Sequence, residues 1–183
     1  VGTGGQGVIL ASDILSDVLG DIEGIEVKKT ETHGMSQRGG SVHSQVRFGP
    51  TVHTPFISPG EADVILAFEE AEGLRWYHYL APDGVMILNE ESIVPPLSYV
   101  GLAKYPREEI EALHKDARVK FINAYKIAEA AGNTKVVSVV LLGALAAMLG
   151  FNNEVWQNNL KKHVPPKALN ANITGFAKGQ EAI

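Results

Sequence analysis

Apolar residues recur at helical spacing directly after an opening run of glycines. Ala11, Ile14, Leu15 and Val18 share one face, and Gly20 offers a stop. Residues 25–31 then read as a strand. From Val42 the pattern changes to alternation: Val42, Val46 and Phe48 are apolar, while His43, Gln45 and Arg47 are polar, as in a half-buried strand. Gly49-Pro50 marks a turn, and residues 51–56 are expected to pair back as a short hairpin. The continuous apolar run 63–68 predicts a central strand covered on both faces. A helix is expected over 69–80, a turn at Pro82-Asp83-Gly84, and another buried strand over 85–88 that ends at Asn89.

Pro95-Pro96 marks an extended loop, and 106–116 reads as a helix with Pro in its first turn. A short strand over 118–122 and a helix over 124–131, stopped by Gly132, follow. Residues 136–149 are apolar nearly all round, the pattern of a buried helix, and helices over 153–163 and 166–180 close the chain. Strands alternating with helices predict an α/β fold. The expected form is a three-layer α/β/α domain over 1–183, with a mostly parallel, mixed sheet and extra C-terminal helices in about 133–183.

Composition narrows the function. The net charge of −5 gives no basic footprint, so a nucleic-acid partner is not expected. The longest apolar stretch is too short to cross a bilayer, and no signal-like segment is visible. The cysteine count is zero, which removes disulfides, thiolate zinc sites and cysteine-ligated iron–sulfur clusters from this chain and fits a reducing cytoplasm.

Two loops carry the candidate chemistry. Gly2-Thr3-Gly4-Gly5-Gln6-Gly7 fits G-x-G-x-x-G, a turn whose backbone approaches an anion closely and whose following helix aims free N–H groups at it. Such a turn follows a strand, so earlier residues of that strand are expected to lie outside this numbering. The ligand would be a phosphate, of a nucleotide or of coenzyme A; the alternative is a tight turn packed on a neighbouring loop or subunit. A dinucleotide fold also wants an acid at the end of the second strand, and Glu31 or Glu26 is available. The second loop, His33-Gly34-Met35-Ser36-Gln37-Arg38-Gly39-Gly40, joins permissive glycines to the planar donor fork of Arg38. Its alternative is a well-ordered connector in which Arg38 pairs with Glu31 or Glu69.

These two segments, with Val8 and Ser41-Val42 flanking them, resemble the gamma-type domain of 2-oxoacid:ferredoxin oxidoreductases. The form His-Gly-Met-Ser-Gln-Arg-Gly-Gly is similar to the beta subunit of the indolepyruvate branch, whereas pyruvate- and 2-oxoglutarate-specific relatives tend to carry a Gly-Pro-Glu-type sequence there. Similarity continues through Gly60 to Val64, Phe68-Glu69, Tyr79 to Gly84 and Val164 to Lys167, most of the chain. The resemblance implies a small subunit that carries no cofactor and no catalytic residue of its own. The complex would use thiamine diphosphate, magnesium, iron–sulfur clusters and coenzyme A, held mainly by a larger catalytic subunit that passes electrons to ferredoxin. This chain would pack on that subunit, help enclose the active site and share in coenzyme A binding through Gly2, Gly4, Gly5, Gln6, Gly7 and the loop from His33 to Gly40. A homodimer of the isolated chain is compatible with it. Two rival readings remain: a free-standing dinucleotide-binding reductase, and a non-enzymatic scaffold module.

Other constellations point less far. His33, His43 and His53 are spaced by ten, which converges no imidazoles, so no metal site is expected; His43 is read on the polar face of its strand. Ser36 with His33 lacks a nucleophile elbow and an orienting acid. Trp76, Tyr77, His78 and Tyr79 form an aromatic helix read as partly interface. Asn89, after a buried strand, either meets a ligand or ends the strand. Glu111 and Lys115 are spaced for a surface ion pair.

Overall fold

The computed structural model describes residues 1–34, 39–95, 98, 101–102 and 104–183. β1 (Gly2–Thr3) leads through the glycine turn into α1 (Val8–Gly20), then β2 (Glu26–His33) and β3 (Ser41–Gly49). β4 (Ala62–Ala67) precedes α2 (Glu70–Trp76), a 3-10 turn at Tyr77–Tyr79 and β5 (Leu80–Asn89). α3 (Arg107–Leu113), β6 (Val119–Ile122) and α4 (Ala124–Ala130) follow. The C-terminal helices are α5 (Val137–Leu149), α6 (Asn153–His163) and α7 (Leu169–Gln180).

The strands form an antiparallel group in the order β1-β3-β2 and a parallel group in the order β4-β5-β6. Val1 stitches the two together. Its amine donates to the Leu66 carbonyl at 2.8 Å, and its own carbonyl accepts from the Phe68 N–H at 2.9 Å, the pattern of a parallel bridge. The result is the mixed sheet the alternation of elements predicts. Helices cover both faces. Val8, Ile14 and Val18 of α1 meet Val42, Ile87, Ile122 and the apolar faces of α5, α6 and α7 on one side. On the other, Ala67, Met86, Leu88 and Val119 pack with Leu74 of α2 and Leu113 of α3. Burial of these side chains removes apolar surface from water at about 25 cal/mol per Å², the main force holding the layers together.

Sequence chemistry fixes the element ends. α1 starts at Gly7, held at φ 86, and α5 stops at Gly150, held at φ 68, conformations that favour glycine. α6 starts at Asn152, whose side chain accepts from the Glu154 N–H, and ends in Lys161, Lys162 and His163, suited to the negative end of its dipole.

Five expectations differ from the structure. Residues 51–56 form no strand; the segment is tied down by side chains instead, with the Val52 N–H bonding Glu26, the Ile57 N–H bonding Gln45 and the Phe56 carbonyl accepting from Arg47. Pro82-Asp83-Gly84 lies inside β5, where the pairing with β4 shifts register between Ala62 and Val64. The helix expected over 69–80 ends at Trp76 and tightens into the 3-10 turn. The helix over 106–116 ends at Leu113, because Asp116 turns to bind the N–H and guanidinium of Arg118. Near that helix the ion pair joins Lys104 to Glu108, not Glu111 to Lys115.

Candidate functional site: the glycine rim

The glycine turn and the second loop touch through their backbones. The Gly4 N–H donates to the Gly40 carbonyl at 2.8 Å, and the Gly39 N–H donates to the Gly4 carbonyl at 3.2 Å. β1 and β3 place them there: Gly2 pairs with Val42 and Thr3 with Ser41, so the two turns leave the same end of one ladder. Around this junction Thr3, Gly4, Gly5, Gly7, Ile9 and His33 line a shallow hollow of about 430 Å³. Gly5 is exposed at φ 103, and an added Cβ there would meet nothing. No side chain caps the N-terminus of α1, which opens beside the hollow. Its first-turn N–H groups and dipole favour an anion.

Not every glycine-turn residue faces outward. Gly2 is buried, and a Cβ there would press on Phe68, Gln6 and Val8 within 3 Å. The Gln6 side chain turns inward. Its amide donates to the Phe68 carbonyl at 3.1 Å and to Glu91 at 3.2 Å, and its oxygen accepts from the Thr3 N–H at 2.7 Å. Gly2 and the Gln6 side chain therefore build the turn from within. His33, Gly34, Gly39 and Gly40 sit on the outer rim beside Gly4. Met35, Ser36, Gln37 and Arg38 lie outside the described residues, as does Pro96.

Below the rim lies a polar network that the sequence reading did not find. Asn89 is buried at the end of β5; it donates to the Phe68 carbonyl and to Glu91 and accepts from the Ala124 N–H at 3.0 Å. It ends the strand. Glu69, 1 % exposed, accepts from the Glu72 N–H at 2.8 Å, the Ile93 N–H at 3.0 Å and the Tyr105 hydroxyl at 2.6 Å. It thus caps α2 and joins it to Ile93 and Tyr105. Burial and the Glu69 contact push the Tyr105 hydroxyl above the ordinary range, so it stays a donor. Glu72, also buried, accepts from the Ser41 hydroxyl at 2.6 Å and so links α2 to the start of β3. The signal for this network was the acid pair Glu69-Glu70 directly after an apolar strand, at the carboxyl edge where open α/β sheets place their sites.

The dinucleotide geometry is absent. β3 lies between β1 and β2, so Glu31 stands a full strand away from the glycine turn and pairs with Lys29 at 3.2 Å; Glu26 binds the Val52 N–H. The aromatic helix turns partly inward: Trp76 packs on His43 with ring centroids 4.1 Å apart and on Tyr79 at 4.8 Å. His43 is accordingly half-buried, not on an open polar face, and burial lowers its pKa. Among the described residues no group of three or more His, Asp or Glu converges on a metal position.

A gamma-type fold with a backbone-built rim is the class these observations define. The chain matches the family described as pyruvate ferredoxin/flavodoxin oxidoreductase over residues 1–182, and it belongs to that family. An indolepyruvate oxidoreductase subunit, IorB, of Pyrococcus horikoshii is 40% identical over 187 residues, covering 99% of this chain and 92% of the relative. A 2-oxoglutarate synthase subunit, KorC, of Methanothermobacter thermautotrophicus is 27% identical over 192 residues, covering 100% and 92%. Among solved structures, the gamma subunit of a keto/oxoacid ferredoxin oxidoreductase from Geobacter sulfurreducens shares the fold, with a TM-score of 0.71 at 22% identity over 99% of this chain and 94% of that one. The family resemblance carried by the two loops therefore holds.

Proposed function

We propose that the chain is the small subunit of a 2-oxoacid:ferredoxin oxidoreductase of the indolepyruvate type. The complex oxidatively decarboxylates an aryl pyruvate, passes two electrons to ferredoxin and releases the acyl group as a coenzyme A thioester in the cytoplasm. The preference for indolepyruvate is supported by 40% identity to IorB against 27% to a 2-oxoglutarate synthase subunit. A larger partner subunit carries thiamine diphosphate, magnesium and iron–sulfur clusters. The donor set of this chain fits that division, since a polypeptide with no cysteine supplies no thiolate to a cluster.

The chain's own work is done at the rim. The observation that carries this reading is the direct pairing of Gly4 with Gly39 and Gly40, which makes two anion-friendly turns one surface. Backbone N–H groups without a Cβ in the way suit a phosphate of coenzyme A, and the guanidinium of Arg38, from the same loop, suits it by its planar fork. Docked on the partner, such a surface excludes water from the reacting centre.

Co-expression with the larger subunit tests the proposal. The purified complex should reduce ferredoxin with indolepyruvate more efficiently than with pyruvate or 2-oxoglutarate, and this chain alone should be inert. Arg38→Ala should raise the KM for coenzyme A. Failure to associate, together with micromolar NAD(P)H binding by the isolated chain, would establish the reductase reading instead.

A further inference from the structure

Two side-chain amides share two acceptors directly beneath the glycine turn. The amide of Gln6 donates to the Phe68 carbonyl at 3.1 Å and to one oxygen of the Glu91 carboxylate at 3.2 Å. The amide of Asn89 donates to the same two atoms, at 3.0 and 3.1 Å. An amide nitrogen has two N–H donors, so both groups are fully engaged. Their oxygens are engaged too, that of Gln6 by the Thr3 N–H at 2.7 Å and that of Asn89 by the Ala124 N–H at 3.0 Å. The turn, the end of β4, the end of β5 and the start of α4 thus meet at one node, and its charged member is Glu91.

The node governs where the turn aims its N–H groups. Gln6 stands between Gly5 and Gly7, whose own N–H groups find no acceptor among the described residues. Main chain and side chain of Gln6 both close on Thr3: the Gln6 N–H donates to the Thr3 carbonyl at 3.2 Å, and the Thr3 N–H donates back to the side-chain oxygen. The side chain is therefore a strut. One end fixes the peptide that carries the Gly7 N–H, and the other rests on Phe68 and Glu91. The opposite flank of the turn is held by the second loop, through the Gly39 N–H on the Gly4 carbonyl. Glu91 is itself anchored, its N–H donating to the Asn89 carbonyl at 2.8 Å and its carbonyl accepting from the Glu70 N–H at 3.0 Å. A carboxylate suits this place, because charge-assisted hydrogen bonds are roughly twice as strong as neutral ones.

We propose that Glu91 is a positioning residue for anion binding at the rim, acting through Gln6 on the N–H groups of Gly5 and Gly7. The inference rests on the rim reading of the proposed function and deepens it: backbone holds the phosphate of coenzyme A, and a carboxylate beneath the turn sets the aim of that backbone. Without Glu91 the Asn89 side chain keeps Phe68 and Ala124, so the strand ends stay joined while the strut loses its charged rest. Misplacing a binding group by about 1 Å costs up to roughly 100-fold. With the Gly39 flank intact the displacement is smaller, and the loss of apparent affinity for coenzyme A should be about fivefold to tenfold.

The test uses the assembled complex and measures kcat, Tm and the KM values for coenzyme A and for the 2-oxoacid. Glu91→Ala should raise the KM for coenzyme A about fivefold or more, while kcat and the KM for the 2-oxoacid change less than about twofold. Glu91→Gln keeps an acceptor oxygen and should recover most of the loss. Gln6→Glu sets two carboxylates against each other and should raise the same KM; adding Glu91→Gln to it should bring the KM back down. This second pair decides the matter where Glu91→Ala does not fold. Parallel losses of Tm, kcat and both KM values, or no recovery in either Glu91→Gln variant, would make Glu91 a general support and overturn the inference. A KM for coenzyme A that Gly5→Ala raises but Glu91→Ala and Gln6→Glu leave unmoved would also overturn it, with the rim reading still standing. If Gly5→Ala leaves that KM unmoved as well, the rim reading fails and the inference falls with it.

Discussion

Two sets of glycines in this molecule do opposite work. Where α5 crosses α7, a Cβ on Gly143 would collide with the carbonyl of Phe176, and one on Gly179 with the carbonyl of Val140. The two backbones touch, and glycine is required because there is no room. At the rim a Cβ on Gly5 or Gly39 would meet nothing, and the demand comes from φ, at 103 and 73. The first set closes a seam inside the protein. The second keeps an open surface bare, which is useful only if something outside comes close to the backbone.

The comparison makes graded demands. Gly179→Val should be the most damaging change, costing at least about 3 kcal/mol because rigid backbone cannot yield to the added atoms. Urea unfolding, or loss of soluble protein, reads it. Next comes the support beneath the rim. Glu69→Ala leaves the Glu72 and Ile93 N–H groups and the Tyr105 hydroxyl without their acceptor, at a cost of roughly 3 kcal/mol. Glu69→Gln, which keeps the shape, should lose distinctly less.

At the rim itself, Gly5→Ala should cost only about 1–2 kcal/mol, from the left-handed backbone alone. It should nevertheless weaken assembly with the larger subunit or raise the KM for coenzyme A. Gly7→Ala should be worse for stability, since its Cβ would also press on Ser138 at 2.9 Å. If Gly5→Ala changes neither assembly nor turnover, the rim loses its assigned role.

The smallest effect is in pH. Burial lowers the pKa of the half-buried His43 below the ordinary imidazole value. The unfolded chain therefore binds more protons than the folded one just below that value, and stability should rise as pH increases through that window, read by urea unfolding at a series of pH values.

Much of this was legible in the residues. Alternation of strand and helix patterns foretold the mixed three-layer sheet. The apolar circumference of 136–149 foretold the buried helix α5. The rest depended on long-range geometry. Residues 51–56 look strand-like locally but find their partners in Glu26 and Arg47, as the following Ile57 does in Gln45, which no local pattern reveals. The inward turn of Gln6 depends on Glu91, 85 positions away in sequence. Glu69 read as an ordinary helix-start acid, because its burial depends on Ile93 and Tyr105, 24 and 36 positions away in sequence.

A junction of Gly4 with Gly39 and Gly40 that faces a larger, redox-bearing subunit has a direct signature in amide hydrogen exchange, compared between the free chain and the chain bound to that subunit. Binding should protect the amides of Gly5, Gly7, Gly34 and Gly40, leaving the α5–α7 seam unchanged. Unchanged rim amides, with new protection confined to the helices from Asn153 onward, would contradict it.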